Sequence, residues 1–211
     1  MKKIITAVLF STLLLLIGCS EDNSTTDVEP NDQKNEANNE EVTESESDKN
    51  DEEYETQEGE VSENEGGTFT LHSRQDQIDT INTGPIVMEI EQLNTASGEL
   101  SGDLADFLES DHIEYIQMDL VVENTSDEDI TFYSSQAEIA TSTGEQLESD
   151  MWMSDHIEGD LMSGTKHSGS LFFILENSKA EDVESIRIKW SAPYNEDWED
   201  VGEAVDIEIS L

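Results

Sequence analysis

The chain has 211 residues, of which 52 are Asp or Glu and nine are Lys or Arg, for a formal net charge of −43. A field this negative repels nucleic acid and anionic lipid headgroups, and argues against both as direct partners. A single cysteine excludes a disulfide within the chain, so any folded part must be held by its hydrophobic core.

Met1-Lys2-Lys3 opens the chain, followed by an apolar run from Ile4 to Ile17 and then Gly18-Cys19-Ser20. A basic end ahead of a short apolar stretch is the physical form of an export signal. The run falls short of the roughly 20 residues needed to span the hydrocarbon as a helix, so it reads as a signal and not a permanent anchor. Leu16-Ile17-Gly18-Cys19 resembles the bacterial lipobox, in which the cysteine thiol is diacylglycerated before cleavage on its N-terminal side. The resemblance implies a signal peptide over residues 1–18 and a lipidated Cys19. Two or more acyl chains (palmitate-type) supply what one chain alone does not, a stable tether to the membrane.

From Ser20 to Gly67 there is no Leu, Ile, Phe, Met or Trp, and 19 acidic residues stand against two lysines. So little apolar surface cannot offset the entropy of ordering the chain, and like charges push it open. Residues 19–67 are therefore expected to form a lipidated start and a disordered acidic linker. Its reach is about 40 Å as a neutral coil, rising with self-repulsion toward a ceiling of about 160 Å. The remaining residues, 68–211, suit one domain. They carry 33 acids and five bases, Arg74, Lys166, Lys179, Arg187 and Lys189. Adaptation to saline or alkaline surroundings accounts for that excess more simply than a cation site.

Period-two alternation dominates this domain. Phe69 to Leu71 is a short first strand. Ile86, Met88 and Ile90 share one face of the next, then Leu100, Leu104, Phe107 and Leu108 form the stripe of a short amphipathic helix. Ile116, Met118, Leu120 and Val122 line up on a further strand, followed by short ones at Ile130–Tyr133 and Ala137–Thr141. Leu171 to Leu175 is apolar on both faces, which predicts a central strand. Ile186, Ile188 and Trp190 alternate, as do Val205, Ile207, Ile209 and Leu211. Turn signals separate them at Asn82-Thr83-Gly84-Pro85, Asn124-Thr125-Ser126-Asp127, Ser142-Thr143-Gly144 and Ser163-Gly164. Seven or eight short strands predict an all-β sandwich with one inserted helix, set at one end of the sheets.

Val122-Glu123-Asn124-Thr125-Ser126, followed by Ile130-Thr131-Phe132, resembles a hairpin of telokin-like, immunoglobulin-fold domains. Such domains are common in lipoproteins of Gram-positive bacteria and are largely of unknown function. Gly144-Glu145, Gly164-Thr165, Ser168-Gly169-Ser170-Leu171-Phe172-Phe173 and Ser185-Ile186-Arg187-Ile188 follow in the family's order. Departures are Ser163, where a proline often precedes the glycine, and the excess of acids. The resemblance implies an immunoglobulin-like β-sandwich at the cell surface and no enzymatic activity.

Motifs for chemistry are sparse. There is no nucleophile elbow, zincin helix or phosphate loop. His72, His112, His156 and His167 are scattered. The acidic runs Asp127–Asp129, Asp155–Asp160 and Glu196–Asp200 lack the spacing of a calcium loop. No metal site, catalytic residue or cofactor is assigned. Trp152, Tyr194 and Trp198 sit in loop-like stretches, where a rigid sandwich commonly carries recognition side chains. The expected protein is a non-catalytic envelope lipoprotein, held at the membrane by Cys19, whose sandwich binds an envelope protein or glycan. The alternative is a calcium-, copper- or zinc-binding or buffering protein outside the cytoplasm.

Overall fold

The computed structural model describes residues 57–211. The expected signal peptide, the lipidation site Cys19 and the tether to residue 56 lie outside the described residues. Twelve strands and one helix follow in order: β1 Val61–Asn64, β2 Gly67–Gln75, β3 Ile81–Thr83, β4 Ile86–Leu100, α1 Gly102–Leu108, β5 His112–Asn124, β6 Ile130–Thr131, β7 Glu138–Thr141, β8 Gln146–Glu148, β9 Asp160–Leu161, β10 Lys166–Ile174, β11 Ser185–Trp190 and β12 Val205–Ser210. The larger sheet runs β1-β2-β4-β5-β10, with β3 alongside the start of β4; the smaller runs β12-β11-β7-β8. A two-stranded ribbon, β6-β9, completes an all-β sandwich of immunoglobulin-like type.

Apolar alternation drives the two sheets together. Ile116, Met118, Leu120 and Val122 of β5, with Leu171 and Phe173 of β10, share one core with Ile139, Ile186, Ile188 and Trp190 of the smaller sheet. Each such side chain contributes roughly 1.5–3 kcal/mol by leaving water. The indole nitrogen of Trp190 donates to the Ser134 carbonyl at 2.9 Å, so its one polar atom is satisfied inside.

Bulges reset which face is which. β4 follows the expected inward set Ile86, Met88 and Ile90, then slips register between Ile90 and Gln92. Beyond the slip Leu93 joins the core, while Asn94 and Ala96 turn to the outside of the larger sheet. A second slip lies on β2, between Leu71 and Ser73. A bulge adds one residue to a strand and so re-aims every side chain after it.

Three expectations need correction. The folded part begins at β1, so residues 61–67, read as acidic linker, form a hairpin arm against β2 instead. Gly66-Gly67 permits that tight reversal, and Val61 supplies a strand-forming side chain. The helix lies where expected in the chain, but none of its residues is buried and Phe107 is 58% exposed. Leu100 belongs to β4, while Leu104, against Gly66, and Leu108 are half-buried, so the apolar stripe packs only in part. Strand β10 is a border strand and not a central one. Its free edge is closed by the 150–155 segment, through Asp150 N to Phe172 O (2.7 Å) and Asp155 N to Ser170 O (2.9 Å). Its outward Phe172 is covered by Tyr115, with ring centroids 5.8 Å apart, which explains an apolar residue on both faces.

Candidate functional site

Trp152, Tyr194 and Trp198 come from two separate loops, and the structure unites only two of them. Tyr194 and Trp198 stack with centroids 5.1 Å apart and an interplanar angle of 15°. Tyr133, a residue the sequence reading missed, extends the row at 6.5 Å from Tyr194. A β-bridge between Thr131 and Tyr194 sets that spacing. The Tyr133 ring packs against Gly159, where any side chain would collide with it. The neighbouring Tyr133 phenol and burial together hold the Tyr194 phenol above its ordinary range.

Trp198 is built at some cost. The Asn195 side-chain oxygen accepts from Asp197 N (3.1 Å) and Glu199 N (3.0 Å), closing a tight turn. Within it Trp198 adopts φ 62°, a left-handed conformation that disfavours a bulky residue by about 1–2 kcal/mol. Even so the side chain is 79% exposed, with one face on Tyr194 and the other in solvent. Tyr133 also lines an open groove of about 860 Å³ between the 133–138 and 149–160 segments and the end of β11. Glu138, Glu148, Asp155 and Glu158 line it, with Lys189 the only lysine or arginine. Met151 is on its wall; the adjoining Trp152, 75% exposed, joins no aromatic pair among the described residues.

A second concavity, about 450 Å³, opens on the outer face of the larger sheet. Phe69, Arg74, Gln92, Asn94, Tyr115 and Gln117 form most of its lining. Phe69 and Tyr115 meet edge to face at 6.4 Å. Burial pushes the Tyr115 phenol up, so it stays a protonated donor. Arg74 is pinned by its Nε to both oxygens of Asp76, at 2.8 and 2.9 Å. Gln117 donates to Asp119 at 2.9 Å. Asn94 is only 8% exposed, yet its Oδ1 is buried with no protein group bonded to it. Leaving a buried polar atom unpaired costs about 1–3 kcal/mol.

Several other titratable groups bond locally. His72 bonds Ser97 (2.8 Å), and His112 lies between Glu114 (2.8 Å) and Glu99 (3.3 Å). The Glu114 hydrogen bond raises the His112 pKa above 6.5 against a partial burial effect, with Glu99 adding to the shift. The acidic runs act as acceptors for the fold: Asp129 takes Ser163 N, Asp155 takes Ser170 N and Asp160 takes the Thr131 hydroxyl. Among the described residues no three ligating side chains converge as a metal site would require. Asn124, in a glycosylation-type triplet, is fully buried and organises its turn.

Comparison with known proteins adds a family. The sequence model described as a domain of unknown function (DUF4352) matches residues 79–196. The SPbeta prophage-derived uncharacterized lipoprotein YonS of Bacillus subtilis (strain 168) is 31% identical over 151 residues, covering 71% of this chain and 69% of its own. A functionally unknown protein from Listeria monocytogenes EGD-e superposes with a TM-score of 0.53 at 13% identity, over 69% of this chain and 88% of that one. At that identity the likeness shows the fold alone. The matched segment contains Trp152, Tyr194 and Asn94; Trp198 stands just beyond it.

Proposed function

This chain belongs to the DUF4352 family, and from that premise we propose that it is a non-catalytic lipoprotein of the Gram-positive cell surface. It is anchored through Cys19, and its sandwich is a binding module for an envelope protein or glycan. The leader residues Leu16-Ile17-Gly18-Cys19 support the anchor, as does the naming of the Bacillus subtilis relative as a lipoprotein. The binding role rests on one observation. Trp198 occupies a strained backbone position yet leaves most of its ring in water beside Tyr194. A large aromatic held out by a turn that would be easier without it adds nothing evident to the core. Rigid exposed aromatics of this kind carry most of the energy at binding surfaces. The acid-lined groove beside the row turns away polyanions and speeds the approach of neutral or basic partners.

The test uses the full chain in living cells, with chemical crosslinking followed by membrane fractionation. Cys19→Ala is expected to release the chain from the membrane. Trp198→Gly relieves the backbone strain, so the variant is expected to fold, remain in the membrane and lose its crosslinked adducts. A membrane-retained Cys19→Ala chain overturns the anchor. Adducts unchanged by both Trp198→Gly and Tyr194→Ala overturn the binding surface.

A further inference from the structure

We infer that the concavity on the outer face of the larger sheet is a binding site for a neutral glycan, with Asn94 as its central polar contact. The site is separate from the Tyr133–Tyr194–Trp198 row, and stands whether or not that row binds a partner.

The placement comes first. Without the slip between Ile90 and Gln92, the alternation set by Ile86, Met88 and Ile90 would send Gln92 and Asn94 into the core. The slip turns both outward. The companion slip on β2 does the same for Arg74, which lies opposite Asn94. Two neighbouring strands thus each spend an irregularity to gather polar side chains on one patch. Bulges recur where a strand must re-aim a side chain next to a site.

Asn94 supplies the evidence for a ligand. It is more than nine-tenths buried, lines the concavity and has an Oδ1 that no protein group bonds. A buried amide oxygen ordinarily finds a partner, and one without calls for an explanation. The oxygen is closed to solvent in the free protein, so the simplest partner is a ligand hydroxyl that reaches it as the lining side chains shift on binding.

The lining specifies the ligand class. Arg74 is already paired with Asp76, which leaves Glu60 as the one uncompensated charge of the lining, on a domain that is acidic throughout. A patch with so little charge on such a surface does not select a polyanion or a polycation. What it offers is three amides, Gln92, Asn94 and Gln117, beside the rings of Phe69 and Tyr115. Amides carry donors and acceptors together, which matches the hydroxyls of a sugar. Aromatic rings suit the apolar C–H face that a sugar ring presents. At about 450 Å³ the space fits a short stretch of glycan.

The experiment is calorimetric titration of the full-length chain, purified in detergent, with cellotetraose, maltotetraose and chitotetraose. At least one is expected to bind with a dissociation constant below about 1 mM. Asn94→Ala and Gln117→Ala are each expected to weaken it by about tenfold or more, the worth of one well-made hydrogen bond. Tyr115→Ala, which removes the ring, is expected to do the same, while Met162→Ala, at an exposed position outside both concavities, leaves the affinity unchanged. Circular dichroism establishes that each variant is folded, and Asn94→Leu serves as a second replacement at the central position. No binding of any of the three up to about 10 mM overturns the proposal. Binding that Asn94→Ala and Tyr115→Ala both retain also overturns it, as does binding lost only with Trp198→Gly.

Discussion

Replacing Asn124 by alanine should be among the most damaging single changes in the domain. Its amide nitrogen donates to Glu128 O at 2.8 Å and Leu161 O at 3.0 Å, and its oxygen accepts from Ser126 N at 3.0 Å and Ser126 Oγ at 2.7 Å. The side chain thereby ties the end of β5 to β9 across 37 residues of sequence, with no exposed surface. Alanine deletes four bonds worth about 0.5–1.5 kcal/mol each net, and leaves the Leu161 carbonyl unpaired in a dry setting. Water can reach Glu128 and Ser126 and recover part of this, so the expected loss is about 3–5 kcal/mol. That is a large share of the roughly 5–15 kcal/mol that holds a domain together. Thermal unfolding followed by far-UV circular dichroism should show a midpoint lower by about 6–20 °C. Urea unfolding should show a lower midpoint with an unchanged slope. A loss below about 1 kcal/mol would refute the reasoning, because it would mean that the turn holds itself without the amide.

Asn94→Leu is expected to act in the opposite direction: it removes an unpaired buried oxygen and should raise the midpoint by about 2–8 °C; a lowered midpoint would show the amide to be satisfied after all. The Glu145 pKa is lowered: burial works against the shift, but hydrogen bonds from Ser178 and from the backbone N–H groups of Glu176, Asn177 and Ser178 outweigh it. Its stabilising effect is therefore full above the unfolded value of about 4.3 and disappears as pH falls through the lower folded value. Glu145→Gln should be less stable than the parent at neutral pH and match it in acid, as urea melts across that range will show; a constant difference would contradict the assignment. His112 behaves conversely, since its folded pKa is raised: its contribution is present below about 6.5 and lost as pH rises through the folded value. An NMR titration of its ring should find a pKa above the ordinary value that falls in Glu114→Gln, and no change in that variant would remove Glu114 as the cause.

Much of the sandwich was legible because the core obeys period two. Ile116 to Val122, Ile186 to Trp190 and Ile86 to Ile90 each read as a strand and form one. What escaped the pattern had identifiable causes. The two- and three-residue strands β3, β6, β8 and β9 are too short to display a period. β10 was misplaced because Phe172 faces outward but is covered by Tyr115, so its composition mimics an interior strand. Of the site residues, Tyr194 and Trp198 were legible as loop aromatics. Tyr133 looked like the end of a strand, and its place in the row depends on the Thr131–Tyr194 bridge, a pairing between distant segments. The outer concavity left no signal at all. Two bulges create it, and a bulge looks in sequence like a pause in alternation.

The contrast between two asparagines on neighbouring strands separates what serves the fold from what does not. Both are buried, and both lie in the larger sheet. Asn124 spends its hydrogen-bonding capacity on backbone groups of its own turn and of β9, so its polarity is explained by structure alone. Asn94 sits between Arg74 on β2 and Gln117 on β5, close to the slips of β2 and β4, at a ladder position that any strand-forming residue could fill. No turn needs it, and its oxygen is unpaired. Trp198 belongs with Asn94 in this respect: its turn would close more easily around glycine. These two departures from good folding chemistry lie on different surfaces, one on the outer sheet face and one in the loop after β11. A residue whose removal ought to help the fold is a place to seek binding, and Asn94 and Trp198 meet that criterion beside an open concavity or in solvent, whereas Ser134, with its unpaired hydroxyl, is wholly buried.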